Sequence, residues 1–451
     1  MKRIIDSFLL EWKDRRNRKP LLLRGARQVG KTYSMRQLGE TFPVFIEINL
    51  EANMAAREII EKDMDPARII QQLSELLQID IIPGKTLLFF DEIQVSPQTI
   101  TALRYFFEQV PDLHVAAAGS LLDFAIDQVG IPVGRVSSFY MYPLSFLEFI
   151  AALGHNKWVK LIMDYGLDEP LNEPTHKKLL SLIGEYIAIG GMPEAINEWI
   201  DTKKSRAAKI VHSDLVFNYQ QDFGKYAKKH QIKYLNLLFE KAADQIGNKF
   251  MFSRVGEYKK RELEPALELL EKAGLLHKII CSSGQGVPLG AQAKLNDFKV
   301  IFLDIALTQA LLKLDIVSWL LHPNRMFINS GQVIEAFVGQ ELLAYSDLIH
   351  KESLFYWRRQ KSTSQAEIDY LVQIRNQVVP IEVKAGASKR IKSMQIFLDS
   401  HPASTYGIRF SSDNYGVYKK INNYPLYAVA RPFLDDSEKM LRKALLSLAE
   451  V

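Results

Sequence analysis

Short apolar runs near residues 20–24, 44–48, 87–91 and 114–118 punctuate the first 150 positions of this 451-residue chain. Helix-like segments separate them. Apolar runs of this length predict strands buried on both faces, with the intervening segments laid over the sheet as helices. Residues 1–150 are therefore expected to form an α/β domain on a parallel sheet. From Tyr142-Pro143-Leu144-Ser145-Phe146-Leu147-Glu148-Phe149 a helical pattern takes over and runs to about 235, with a sharp break at Gly190-Gly191-Met192-Pro193-Glu194. Residues 151–235 read as a helical linker or lid.

The pattern changes again over residues 236–320. A helix-like segment at 237–243 precedes an amphipathic one at 263–273 that Gly274 caps. A strand-like run at 277–280 and a glycine-rich stretch at 284–290 follow, in helix–turn–helix–wing order. Lys259, Lys260 and Arg261 open the second helix, where a recognition helix would meet DNA phosphate. Glu262, Glu264, Glu268 and Glu271 on the same helix would oppose a duplex, so a DNA-contacting module and one that only packs both remain open. Residues 321–435 return to an α/β pattern, and residues 436–451 read as a C-terminal helix. No internal repeat or low-complexity tract is visible.

Composition narrows the class without naming a chemistry. With 47% hydrophobic and 24% charged residues, the chain has the make-up of an ordinary globular protein of two or three domains. Its one cysteine, Cys281, excludes a disulfide framework and a cysteine-based zinc site, and predicts a cytoplasmic location. No apolar run approaches the roughly 20 residues that span a bilayer, so no membrane association is expected. The net charge of +5 by itself says little about nucleic acid, and the nine histidines lack metal-binding spacing.

Chemistry enters after the first strand. Gly25-Ala26-Arg27-Gln28-Val29-Gly30-Lys31-Thr32 fits GxxxxGK[ST] between a strand and a helix, the setting in which backbone N–H groups cradle phosphates. The spacing assigns ATP to these eight residues, with Lys31 on the β- and γ-phosphates and the Thr32 hydroxyl on Mg²⁺. The run Thr86-Leu87-Leu88-Phe89-Phe90 ends in Asp91 and Glu92. Asp91 is placed to hold the Mg²⁺ hydration shell, and Glu92 to orient and deprotonate the attacking water. Ser120, ending the run His114–Gly119, is either a sensor of the γ-phosphate or a strand-end cap. Arg135, in Val133-Gly134-Arg135-Val136, is either an arginine finger, in cis or from a neighbour in a homo-oligomer, or half of a local salt bridge.

A second site is expected near the C-terminus. Residues 365–386 form two alternating segments about a polar turn at Arg375-Asn376-Gln377, the pattern of a β-hairpin. Period two sets Glu382 and Lys384 on one face. An even-length turn, such as Asn376-Gln377, brings Asp369 to that face, and an odd one sets it opposite Val383. In the first register Asp369 and Glu382 would bind Mg²⁺ and Lys384 would position a water, with Glu335 on an upstream helix as a third acid. An ordinary surface ion pair is the other reading.

The phosphate loop GARQVGKT, the FFDEIQ strand, the AAGS strand end, and GR followed by YPLSFLEF resemble a group of prokaryotic AAA-type ATPases that carry a C-terminal domain of unknown function. GGMPEA at 190–195, the segment Asn296–Asp304 and IDYLV…PIEVKAG are similar to later signatures of that group. The resemblance covers nearly the whole chain. It implies an AAA-like core, a helical and winged-helix middle, and a C-terminal fold like that of PD-(D/E)xK nucleases. In that fold the motif residues would fall on Asp369, Glu382 and Lys384, with Glu335 on the first helix. Glu367-Ile368 precede Asp369 where the nuclease pattern has a proline. The expected partners are ATP and DNA or RNA. Three functions follow: an ATPase controlling a nuclease-like or nucleic-acid-binding domain, a nucleotide-dependent scaffold with an inert C-terminal domain, or a winged-helix DNA-binding regulator.

Overall fold

The four apolar runs become strands β1 (Leu21–Arg24), β2 (Val44–Asn49), β3 (Thr86–Asp91) and β4 (His114–Ala118) in the computed structural model, which describes residues 1–359, 366–384, 391–434 and 439–450. A fifth strand, β5 (Ser137–Tyr140), too short and polar to stand out in the sequence, completes a parallel sheet in the order β2-β3-β4-β1-β5. Successive side chains enter different cores. Leu22, Leu88, Phe90, Val115 and Ala117 join one. Leu21, Leu23, Leu87, Phe89, Ala116 and Ala118 join the other, which continues through the rest of the molecule. Burial on both faces is why these strands carry no polar alternation.

Among the helices of the described residues, those used below are α1 (Ile4–Asp14), α2 (Lys31–Gly39), α3 (Phe146–Ala152), α4 (Glu173–Ile189), α5 (Pro193–Thr202), α6 (Ser205–Tyr226), α7 (Ile232–Lys241), α8 (Lys260–Lys272), α9 (Gly331–Ala344), α10 (Lys392–Ser400) and α11 (Lys439–Ala449). The first and last of these pack on each other, with Ser7 and Ser447 hydroxyls 3.2 Å apart. No single helix among the described residues is long and apolar enough to cross a membrane. The bent pair α4–α5 passes on length and composition, but its apolar side chains are largely buried in the core.

Eight strands form a second sheet: β6 (Leu276–Ser282), β7 (Ala293–Phe302), β8 (Leu354–Arg358), β9 (Glu367–Ile374), β10 (Gln377–Lys384), β11 (Gly407–Ser411), β12 (Gly416–Tyr418) and β13 (Ile421–Pro425). Their order is β12-β13-β11-β10-β9-β8-β6-β7. The hairpin expected as a wing, β6–β7, is thus an edge of the C-terminal sheet. Residues 279–281 of β6 pair in parallel with 354–356 of β8, so a division at residue 320 would cut through one sheet.

The segment YPLSFLEF acts as a joint. Ser145 and Glu148 form a capping box at the start of α3. Glu148 also pairs with Arg3 at 2.9 Å, the Leu144 N–H donates to Gly191 O, and the Phe146 N–H donates to Glu341 of α9. Gly191 in turn donates to Asp304, which caps the helix Ile305–Leu311. The signatures that lie far apart in sequence therefore meet at one seam between the two sheets.

Candidate functional site

The phosphate loop leaves β1 and turns into α2. Gly25 has a backbone φ of 147°, and a Cβ there would collide with the Met141 carbonyl oxygen. Gln28 takes a left-handed φ of 64°, and left-handed Gly30 caps α2. The loop thus curls to present the N-terminus of a nine-residue helix. Lys31 opens that helix and is 7% exposed. Its ammonium donates to Gly25 O at 3.0 Å and Ala26 O at 2.7 Å. Burial pushes Lys31 down to about 8, although Glu92 and Asp91 pull the other way. A buried cation held by the carbonyl oxygens of its own loop fits an anion such as a triphosphate.

Thr32 Oγ1 donates to Asp91 Oδ2 at 2.9 Å, bringing the two expected magnesium ligands together across α2 and β3. A hydroxyl and a carboxylate are the oxygen donors Mg²⁺ takes, and the ion would supply neutralisation of phosphate charge there. Burial raises Asp91, and the Thr32 bond opposes that. Glu92 follows in a left-handed conformation, φ 53°, which turns its side chain off the strand axis. Gln94 Nε2 holds Glu92 Oε2 at 2.5 Å. Glu92, Gln94 and Ser120 line a cavity of about 540 Å³ together with Arg27, Lys225 and Lys228.

Arg135 lies elsewhere in this chain. It precedes β5, whose Ser137 is in register with Leu21 at the start of β1, while the phosphate loop follows the other end of β1. A strand of that length separates them by about 13 Å. The Arg135 guanidinium pairs with Glu108 at 3.1 Å. The local salt bridge is therefore formed, and a role in cis at the phosphates is not available in this arrangement.

The loop is gripped from outside the sheet. Arg3 donates to Val29 O at 2.9 Å, and Tyr219 of α6 donates to Arg27 O at 2.9 Å. Arg27 forms an ion pair with Asp222, which also takes Lys225 at 3.1 Å. Gly274, in the turn from α8 to β6, packs so close to Ala26 that a Cβ would lie 3.3 Å from the Ala26 methyl. Asp222, Lys225 and the approach of Gly274 were not foreseen; they lie hundreds of residues from the loop, and only Gly274 carried a local signal, as a helix cap.

At the C-terminal site the hairpin turn is the two-residue Arg375-Asn376, with φ of 48° and 58°, one residue earlier than Asn376-Gln377. The turn is even, and the ladder pairs Ile381 with Tyr370, so its next step sets Asp369 opposite Glu382 on one face. Asp369 Oδ2 accepts the Val383 N–H at 2.7 Å, and Lys384 pairs with Glu382 at 2.7 Å. Glu335 is held instead by Lys299, at 2.8 Å, and Lys299 also takes Glu367 at 2.5 Å. Burial would lower Lys299, but Glu335, Asp369 and Glu367 together drive it up. Burial and the Asp369 charge raise Glu335 to about 8. Burial also raises Glu382, against the pull of Lys384.

The structure brings Asp369, Glu382 and Lys384 together, while Glu335 is engaged by Lys299. Among the described residues no three His, Cys, Asp or Glu side chains are grouped to hold a metal ion. Two lysines neutralise Glu335 and Glu382 where Mg²⁺ was assigned. Lys299 carries no local signal of this role, since it lies in an otherwise strand-like segment. Gln365 and the Ala385-Gly386 end of the hairpin motif fall outside the described residues.

Residues 17–150 match the family described as AAA domain. This supports an ATP-binding, P-loop ATPase domain. Residues 180–317 and 330–429 match two families each described as a domain of unknown function, DUF8612 and DUF4143. Among solved structures, the Walker-type ATPase PABY2304 of Pyrococcus abyssi is similar at 15% identity over 68% of this chain and 94% of that one, with a TM-score of 0.43. PCH-2 of C. elegans is similar at 13% identity over 44% of this chain and 61% of that one, with a TM-score of 0.26. No curated protein matches.

Proposed function

We propose that the chain is an ATP-hydrolysing switch whose nucleotide state is passed to a C-terminal part that holds nucleic acid. The observation that carries the first half is Lys31, buried yet partnered by the carbonyl oxygens of Gly25 and Ala26. Backbone N–H groups of 25–32 and Lys31 bind the phosphates, and Thr32 and Asp91 hold Mg²⁺. Glu92, steadied by Gln94, takes the proton of the attacking water. Ser120 lies on the same cavity and senses the γ-phosphate. Arg135 acts from a neighbouring subunit of a homo-oligomer. Coupling is supported by the contacts of Tyr219, Asp222 and Gly274 with the phosphate loop, since a loop that moves on binding ATP moves them too.

One experiment separates the parts. Lys31→Ala is expected to lose ATP binding in an equilibrium titration. Glu92→Gln is expected to bind ATP as wild type does while turnover falls about 100-fold or more. Full turnover by Glu92→Gln would remove Glu92 as the base.

A second reading has its own support. Lys299 and Lys384 occupy the carboxylates that a nuclease would give to metal. On that basis the C-terminal hairpin binds a partner without cutting it.

A further inference from the structure

The cleft beside Glu92 has a wall that runs out onto the molecular surface. Lys225 and Lys228 line the cleft, and the chain then turns through Lys229 and His230 into α7. Lys229 and Lys233 are exposed. Lys259, Lys260 and Arg261 at the start of α8 are exposed as well. Two tyrosines weld these segments into one surface. The Tyr234 and Tyr258 rings meet edge to face at 5.0 Å. The Lys233 ammonium stands 4.6 Å from the first ring centre and 5.3 Å from the second.

The acids that argued against a polyanion are largely engaged elsewhere. Glu262 accepts the Lys259 backbone N–H at 2.9 Å and the Tyr234 hydroxyl at 3.1 Å. Glu264 pairs with Lys260 at 3.1 Å, and Glu271 pairs with Lys278 at 2.8 Å near the other end of α8. Glu268 faces a cleft shared with Arg24, Lys272 and Lys351. Glu257 and Glu268 remain as exposed acids without an ion pair among the described residues, Glu268 towards the far end of the helix, against Lys229, Lys233, Lys259 and Arg261 near its start, which likewise have no ion-pair partner there. The helix is therefore divided lengthwise, cationic where it meets solvent at its start and acidic towards the ATPase sheet.

We infer that the start of α7 and the start of α8 form one binding surface for the phosphodiester backbone of nucleic acid, with Tyr258 offering an aromatic face to an unpaired base. This rests on the reading of an ATPase that acts with nucleic acid and adds to its C-terminal part a second surface, in the middle of the chain, for the same ligand. Phosphate oxygens would be met by the lysines and Arg261, at the N-terminal end of α8. Tyr258 is 40% exposed, enough to stack a base, and base–aromatic stacking tolerates any sequence. Lys225 and Lys228 belong both to the approach to this surface and to the lining of the cleft that holds Glu92, so the two sites adjoin.

The test uses the full chain and labelled duplex DNA, single-stranded DNA and an RNA hairpin, titrated by fluorescence anisotropy at graded salt. Vesicles of phosphatidylserine and phosphatidylcholine serve as a non-nucleic polyanion. The variant Lys229→Glu/Lys259→Glu/Arg261→Glu changes exposed side chains outside the ATP cleft, and an acid at a helix start is itself tolerated. It is expected to bind nucleic acid at least about tenfold more weakly, with the salt slope reduced by about 0.9 for each phosphate no longer neutralised. Tyr258→Ala is expected to weaken single strands more than duplexes. ATP turnover without nucleic acid is expected to be unchanged. Equal binding by wild type and the triple variant overturns the inference, as does binding of vesicles but of none of the three nucleic acids. Absence of ATP turnover in wild type, with nucleic-acid binding still abolished in the triple variant, would overturn the ATPase reading and leave this surface standing.

Discussion

Glu92 depends on Gln94 for its direction, because the Gln94 amide donates to Glu92 Oε2 and fixes where that carboxylate points. Gln94→Ala is expected to lower kcat about tenfold and leave ATP affinity within about twofold, since the neighbour orients a base and touches no phosphate. Steady-state turnover and an ATP titration on the same variant measure the two numbers; a fall in affinity with unchanged kcat would place Gln94 in binding instead. At this scale the phosphate-loop motif was readable, because Gly25, Gly30, Lys31, Thr32 and Asp91 have their residue types dictated by phosphate and magnesium chemistry. Gln94 stood in the same segment unremarked, since a glutamine two places after an acid has no pattern of its own. The C-terminal acids show the complementary lesson. Of the two registers that the alternation left open, the even one forms and sets Asp369 beside Glu382, but nothing local announced that Lys299, from a different strand, would take Glu335.

Elements carry the second kind of prediction. Helix α9 reaches the start of α3 through Glu341, whose Oε1 accepts the Phe146 N–H at 2.9 Å. Burial raises Glu341 to about 8, opposed by hydrogen bonds from Tyr345 and Phe146 and reinforced by the charge of Glu148. The folded state therefore favours the protonated acid. Its contribution to stability is full below the unfolded value near 4.5 and is lost as pH rises through about 8. Between pH 6 and 9 the loss is expected to be on the order of 2–3 kcal/mol, from about 1.4 kcal/mol per unit of pKa difference. Thermal melts at both pH values should show wild type falling further than Glu341→Gln; parallel falls would assign the pH effect to other groups. The same elements explain where sequence reading stopped. Apolar runs identify β1 to β4 because both faces are buried, whereas β6 and β7 alternate like any hairpin and do not reveal that β8, more than fifty residues on, completes their sheet.

At the scale of the whole molecule, the placement of Arg135 at the far end of the parallel sheet makes its role a question of assembly. Arg135→Ala and Lys31→Ala, each inactive alone, are expected to regain partial turnover when mixed, because a mixed oligomer contains sites with an intact loop and an intact arginine. No recovery, with both variants shown to co-assemble, would confine Arg135 to its bridge with Glu108. The C-terminal sheet makes a second molecular prediction. With Lys384 on Glu382 and Lys299 on Glu335, wild type is expected to leave single- and double-stranded DNA and RNA uncut in Mn²⁺, with or without ATP. Cleavage that disappears in Glu382→Gln would instead establish a nuclease. The packing of α11 on α1 bears on how such a molecule comes into being. Ribosomes deliver α1 first, with Ile5, Leu9 and Trp12 ready for burial and Arg3 ready for the phosphate loop. Its covering helix emerges more than four hundred residues later. Until then the face of α1 that α11 covers lacks that partner, while Phe8 and Trp12 already meet Phe139 and His114 of the first sheet and Arg3 can already brace the phosphate loop.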